Sequence, residues 1–391
     1  MPTDIPGRRH FIQAALAVGA SLSVLGRARA ASAPVRIGLD GGPRDSARPA
    51  DEAIRAGLDF AIADINAAGG VLGGRPVELV LRDGDHAGGF AALKDMIGVF
   101  VGGPGPLAPA GGADRMLTFD PLSATDAYAD DGAISGNVFR LSLDDRWAMR
   151  TMAHHLAEKQ VRRIGMLVPD SAWGRSCVAA TRALVERSSQ ILAGVEWYRD
   201  GATPSLAGHY VRLRRAGMDG LLMIGSEREG ALLIDALAAL PAGERVPVAN
   251  HWGASGGDLP RIAGSAVRQL DFSVVQTFSF ESPRNPQTQA LAQRAMARFG
   301  YDDPARIPSA VGLAHTYDLM QLVGWAINIA GSTEAAAVRK ALENLPPVEG
   351  VIRRYAPAFS AACHEALRPD ELFMSRFTTD GRLTRVMPSR A

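Results

Sequence analysis

Beyond residue 33 the chain alternates between short apolar runs and longer stretches in which apolar residues recur every three or four positions. Val35-Arg36-Ile37-Gly38-Leu39 is a β-rich run bounded by Gly41-Gly42, the form of a strand ending in a turn. From Asp51 to Ala68, residues Ile54, Leu58, Ala61, Ile62 and Ile65 share one helical face, and Gly69-Gly70 stops the helix. Further strands are predicted at 77–81, 98–101 and 116–119. A second series then places strands at 163–168, 194–198, 220–224 and 246–250, with helices at 175–188, 206–216 and 229–240. Helices at 286–299, 309–330 and 333–345 follow. Strands separated by helices of this length pair in parallel, because a parallel crossover needs roughly a dozen residues or more. The pattern predicts an α/β protein built from two doubly wound parallel-sheet lobes.

The first thirty residues break that pattern. Arg8-Arg9-His10-Phe11-Ile12-Gln13 precedes a mildly apolar run from Ala14 to Gly26, and Ala28-Arg29-Ala30 ends it. A charged start, a short apolar segment and a small-x-small site are the features of an export signal. Adjacent arginines followed by Phe-Ile, with a weakly apolar core, favour the twin-arginine route. Cleavage is expected near Ala30, leaving a periplasmic mature chain. No stretch reaches the length of about 20 apolar residues needed to span a bilayer; in 313–330 His315, Asp318, Gln321 and Asn328 interrupt the run.

Composition narrows the function. The 391 residues are 47% hydrophobic and 21% charged, enough to bury two cores and far from a disordered composition. A formal net charge of +1 argues against a nucleic-acid partner, which calls for many phosphate contacts. Cys177 and Cys363, the only cysteines, rule out a disulfide scaffold and any multi-cysteine metal site. Spacing does not show whether the two pair with each other.

Five segments, in order, carry a resemblance. They are Asp51 to Asp83, with Ala56-Gly57-Leu58-Asp59 and Asp64-Ile65-Asn66-Ala67-Ala68-Gly69-Gly70-Val71-Leu72-Gly73; Ser123-Ala124-Thr125; Asp170-Ser171-Ala172-Trp173-Gly174-Arg175; Ala314-His315-Thr316-Tyr317-Asp318; and Thr378-Thr379-Asp380-Gly381. Together they resemble the type I periplasmic binding proteins, most closely the leucine/isoleucine/valine-binding group that serves ABC importers. The resemblance implies two lobes joined by three crossover strands that close on a ligand. Lobe 1 would comprise residues 34–143 and 273–346, and lobe 2 residues 144–272 and 347–391. It also implies a small-molecule ligand, ABC permease subunits as partners, a monomer, and neither cofactor nor catalysis.

In such folds ligands sit outside the carboxyl ends of parallel strands, where loops and helix N-termini offer free N–H groups. Ser123, Ala124 and Thr125 follow the strand at 116–119 and match the family segment that binds a ligand carboxylate. Trp173, in the loop before a helix starting near Gly174, matches a position where an aromatic contacts ligand. Ser226 follows the strand at 220–224 and is either a cleft residue or a helix N-cap. Gly103, within Gly102-Gly103-Pro104-Gly105-Pro106, supplies backbone N–H groups where the family has a serine-rich loop. Trp252 stands where amino-acid binders carry the acid that pairs with the ligand ammonium, and Ala50 where a cleft aromatic is common. The helices at 91–96 and 109–113 are shorter than the family's. A buried ammonium without a counter-charge is costly, whereas Trp252 offers a flat apolar face. The expected ligand is therefore an apolar or aromatic carboxylate. A ligand sensor on the same fold, or a member that has lost ligand binding, are the alternatives.

Other chemistry fares poorly. Gly253-Ala254-Ser255-Gly256-Gly257 has the spacing of a hydrolase nucleophile elbow, yet Gly256-Gly257 and Pro260 oppose the helix it needs. Gly102-Gly103-Pro104-Gly105 lacks the third glycine of a dinucleotide fingerprint. His154 and His155 are adjacent and point about 100° apart on a helix, so they do not form a metal pair. Arg353-Arg354 reads as a solvated rim, with a docking surface as the alternative.

Overall fold

The computed structural model describes residues 33–40, 49–82, 96–101, 116–124, 129–130, 133–134, 136–257, 259–283, 285–378 and 380–387. The export signal, Gly103, Thr125 and the helices expected at 91–96 and 109–113 lie outside the described residues, apart from Met96.

The first series runs β1 (Val35–Asp40), α1 (Pro49–Ala67), β2 (Val77–Arg82), β3 (Gly98–Val101), β4 (Leu117–Asp120), the two-residue strands β5 (Ala129–Asp130) and β6 (Ala133–Ile134), and β7 (Val138–Arg140). Strands β2-β1-β3-β4-β7 make a parallel sheet in that order. The second series runs α2 (Asp145–Glu158), β8 (Arg163–Pro169), α3 (Ala172–Val185), β9 (Ile191–Tyr198), α4 (Ala207–Arg215), β10 (Gly220–Met223), α5 (Glu227–Ala238), β11 (Val248–Asn250), α6 (Leu259–Ala263) and β12 (Phe272–Gln276). Then come α7 (Pro286–Phe299), α8 (Ala310–Ala330), α9 (Ala335–Leu342), β13 (Val348–Glu349), β14 (Arg354–Tyr355), β15 (Phe373–Phe377) and β16 (Leu383–Arg385).

The second sheet has the order β16-β15-β12-β11-β10-β8-β9. It is parallel from β12 to β9, and β15 and β16 add antiparallel strands at one edge. Strands β7, β12, β15 and β16 and helix α2 lie outside the elements that the hydrophobic pattern predicts. The chain passes between the sheets three times: after β7, after β12, and on the way from α9 to β15. The second passage follows Gln276, so β12 belongs wholly to the second sheet rather than being divided at residue 273.

Alternation explains why the central strands read as continuous apolar runs. Met166 and Val168 of β8 face one core and Leu167 the other; Leu222 of β10 opposes Leu221 and Met223. Strands covered on both faces need apolar residues at every position. On the first sheet, α1 packs against α8 at Gly57, where a Cβ would stand 2.6 Å from the Leu313 carbonyl oxygen.

The Asp64–Gly73 motif is a device for turning the chain. The Asn66 side chain donates to Val77 O (2.9 Å) and accepts from Val77 N (2.7 Å), clipping the end of α1 to the start of β2. Gly70 has φ +76° and a Cβ there would meet Arg75 O at 2.3 Å, so only glycine fits. Asp64 accepts from Arg294 and from the Tyr317 hydroxyl, tying α1 to α7 and α8. Asp318 accepts from Val351 N, Ile352 N and the Tyr355 hydroxyl, fixing the β13–β14 hairpin on α8.

Candidate functional site

Strand β4 ends at Asp120, whose Oδ1 accepts from Leu122 N (3.1 Å) and Ser123 N (2.7 Å), folding residues 120–123 into an Asx turn. Burial pushes the Asp120 carboxyl up to about 6, against the pull of those N–H groups and the Arg140 charge. The turn presents Ser123 and Ala124, both buried. The Ala124 carbonyl accepts from Asp145 N (3.0 Å), at the first residue of α2. Asp144 caps that helix through Arg146 N. Burial would raise the Asp144 carboxyl, but the hydrogen bond and charge of Arg146 with the charge of Arg140 outweigh it and hold it low.

Trp173 lies in the first turn of α3, not in the loop before it, because Ser171 is the N-cap and accepts from Gly174 N. Its indole Nε1 donates to Asp145 Oδ1 (3.2 Å) and its ring meets His251 edge-on at 4.9 Å. His251, directly after β11, is fixed by its N–H to Met223 O (2.9 Å). Trp252 opens a 3₁₀ turn (Trp252–Ser255), with its ring 5.9 Å from His251 and 5.6 Å from His315 of α8. Trp173, His251, Trp252 and His315 therefore form a row of rings from α3, beside the second sheet, to α8, which packs on α1 beside the first.

His315 Nδ1 is 2.9 Å from Pro121 O, which can only accept, so Nδ1 carries the hydrogen and Nε2 accepts from the Thr277 hydroxyl at 2.8 Å. Burial drives the His315 imidazole down to about 4. Next to the row, Ser255 O accepts from Ser309 N (2.9 Å), joining the 3₁₀ turn to the start of α8. The two sides thus meet directly, with Trp252 5% exposed and His251 fully buried.

Several expected residues converge here and others do not. Trp173 and Trp252 share the ring row, and Asp145 links it to Ala124, next to Ser123. Ser226 is the N-cap of α5: its hydroxyl accepts from Arg228 N and donates to the Glu229 carboxylate. A Cβ at Gly253 would stand 2.6 Å from Gly225 O, so this backbone approach demands glycine. The Ser255 hydroxyl donates to Trp252 O (2.7 Å) and accepts from Gln276 Nε2 (2.8 Å), buried in a 3₁₀ turn rather than displayed on an elbow. Both cysteines are thiols and do not bridge. His154 is exposed, whereas His155 is buried against Ser273. A separate groove of about 720 Å³ lies over the passage after β12, lined by residues including Thr277, Phe278, Arg353, Glu371 and Phe373; none of the expected site residues lines it. Asp145, His251 and His315 were missed as site residues. His251 could have been weighed with Trp252 as a neighbour on the same strand end; nothing local marked Asp145 or His315.

Two parallel-sheet lobes with the chain crossing between them three times, and a buried polar cluster at the strand ends, define a two-lobed binding protein. Residues 34–382 match the periplasmic binding protein family, and the chain belongs to it. A type 1 periplasmic binding protein from Bordetella pertussis Tohama I is 22% identical, covers 90% of this chain and 100% of its own, and superposes with a TM-score of 0.75. A solute binding protein of an ABC transporter from R. palustris, solved with benzoate, is 16% identical (90% and 95% covered, TM-score 0.73). The branched-chain amino acid binding protein LivJ from Streptococcus pneumoniae, solved with isoleucine, is 16% identical (90% and 100% covered, TM-score 0.69). At these identities the structures establish the fold. No curated protein matches the sequence.

Proposed function

We propose that the chain is the periplasmic solute-binding component of an ABC importer, and that it takes a small apolar or aromatic carboxylate rather than an amino acid. The observation that carries this is the row of rings: Trp252, where the resemblance would have an ammonium-binding acid, lies edge-on to His251 and tilted against His315. Aromatic walls favour a flat apolar ligand, and the R. palustris relative with benzoate is built on the same fold. Ser123, Ala124 and Thr125, with backbone N–H groups near Gly103, would receive the carboxylate. The two lobes, residues 34–143 with the stretch from 277 to 346 and residues 144–276 with 347–391, would part by breaking the Ser309–Ser255 hydrogen bond and the Trp252–His315 contact among others, and close again on the ligand. Export by the twin-arginine route with cleavage near Ala30, a monomeric state and docking to permease subunits complete the proposal.

One observation favours a second ligand class. Asp145 Oδ2 is buried and has no hydrogen-bond partner, so it could face an ammonium. Calorimetric titration of the mature chain with benzoate, a medium-chain fatty acid, leucine and isoleucine decides between them. Benzoate or the fatty acid should bind and raise the melting temperature; a ligand at 100 times its Kd adds about 2.7 kcal/mol to stability. Micromolar binding of leucine or isoleucine, with none of the carboxylates, overturns the first reading.

A further inference from the structure

Beside the ring row, three donor groups of different chemistry converge: one ligand atom each from Asp145, Cys177 and His251 lies within 4.8 Å of the other two. All three residues are fully buried. They come from three rigid places, the first residue of α2, the second turn of α3 and the residue after β11. His251 Nε2 is 3.2 Å from Asp145 Oδ1 but out of line for a hydrogen bond. Neither ring nitrogen of His251, nor Asp145 Oδ2, has a hydrogen-bond partner. An imidazole and a carboxylate oxygen left unsatisfied in the interior cost free energy unless something binds them.

We infer that Asp145, Cys177 and His251 form a zinc site. A thiolate, an imidazole and a carboxylate are the borderline donors that zinc takes and that magnesium or calcium does not. Bond lengths of about 2.0–2.3 Å put tetrahedral ligand atoms roughly 3.3–3.6 Å apart, so side-chain adjustments of about an ångström suffice. Thiolate and carboxylate together carry two negative charges, which the dication neutralises, so the buried cluster gains no net charge. The Trp173 indole, donating to Asp145 Oδ1, orients the carboxylate as metal sites commonly require of their ligands' neighbours. Three protein ligands leave a fourth position for water or another donor. Binding releases the Cys177 proton, so affinity should fall in acid. The inference is independent of which organic molecule the protein carries. It would, however, remove Asp145 as an ammonium partner.

The test uses the mature full chain, reduced, stripped with a chelator and free of any organic ligand. Zinc is titrated against a chromogenic chelator, and cobalt is used as the spectroscopic probe. The expected result is one equivalent of tight zinc, and a cobalt form with an intense near-ultraviolet thiolate charge-transfer band and tetrahedral visible bands. Cys177→Ser should abolish the charge-transfer band, and His251→Gln should weaken zinc binding by more than about 100-fold, since even a ligand's supporting neighbours are worth 10–100-fold. Cys363→Ser and His154→Gln should leave both readouts unchanged. Because the buried variants could fail to fold, the cobalt spectrum of the unaltered protein and of Cys363→Ser stands by itself. Absence of a stoichiometric thiolate–cobalt band, or its loss in Cys363→Ser, overturns the site; so does an unchanged affinity in folded Cys177→Ser.

Discussion

Replacing His315 by Asn should change how stability responds to pH, by an amount the structure supplies. His315 is fully buried, donates from Nδ1 to Pro121 O and accepts at Nε2 from Thr277. Burial lowers its imidazole from 6.5 to about 4. The folded state therefore resists protonation, and the stability conferred by the neutral ring is present above pH 6.5 and lost as pH falls towards 4. A tenfold change in proton affinity is worth about 1.4 kcal/mol, so the full loss is about 3 kcal/mol and the loss at pH 5 about 2 kcal/mol. Asp120 and Asp318, both pushed up to about 6 by burial, act with the opposite sign. Their contribution is present in acid and fades as pH rises through 6, so the profile of the whole protein mixes the two trends. The difference between wild type and His315→Asn removes the common terms. The Asn amide can still donate to Pro121, giving an offset that does not depend on pH. Urea unfolding of both proteins, followed by tryptophan fluorescence at pH 8 and pH 5, should show the wild type losing about 2 kcal/mol relative to the variant. A gap that stays constant within the error of the fits would refute the assignment of His315 as a buried neutral imidazole.

Two further perturbations test the packing around the site. Arg140 is buried at the first passage between the sheets, paired with Glu365 and 3.5 Å from Asp144; Arg140→Met should cost about 3–5 kcal/mol in denaturant titration, because it strands a buried carboxylate, and Arg140→Met/Glu365→Gln should recover much of that loss. Gly57→Ala should destabilise by about 1–3 kcal/mol through overpacking of α1 on α8, although alanine by itself favours a helix by about 1 kcal/mol; an unchanged melting temperature would show that the helices separate freely.

The fold was largely legible because its information is local. Period-two and period-3.6 patterns marked most strands and helices, and parallel pairing follows from connection length. What escaped were β7 and β16, three residues each and too short to show a period, β15, whose burial does not alternate, and β12, buried at all five positions with polar Ser273 and Gln276 among them. The hydrophobic pattern starts the helix near Gly174, whereas the Ser171 cap starts it at Ala172 and brings Trp173 into its first turn. The motif that identified the family proved to be architectural. Asn66 clips β2, Gly70 permits a turn, and Asp64 and Asp318 hold helices and a hairpin in place. Such residues announce a fold and say little about its ligand. The site is harder to read because its members are single residues on separate elements. Asp145 has the sequence context of any acidic first turn, and only the arrival of α3 and β11 turns it into a buried acceptor for Trp173. His315 looks like one polar residue in an apolar helix until the chain returns to the first sheet and sets it against Pro121.

The same geometry shows which contacts a hinge motion would spend and which it would keep. Trp173, Asp145 and His251 are held to one another by contacts among elements of the second sheet, while His315 is held to Pro121 beside the first. These two groups would survive opening intact. The contacts between the two sides include a ring pair at 5.6 Å and the backbone hydrogen bond between Ser309 and Ser255, besides the bond from Asp145 N to Ala124 O next to the first passage between the sheets. A backbone hydrogen bond contributes about 1 kcal/mol net and an aromatic pair about 0.5–1.5 kcal/mol beyond its buried area, so these particular links set only a low barrier against parting. A ligand need then supply only a few kcal/mol of preference for the closed form to control it. In the proposed mechanism Trp252 has the decisive place, because it is the side chain at which the second-sheet group meets the first. A flat ligand that slides between Trp252 and His315 would replace a weak ring contact with two, which is how closure can depend on an apolar guest without a charged partner for it.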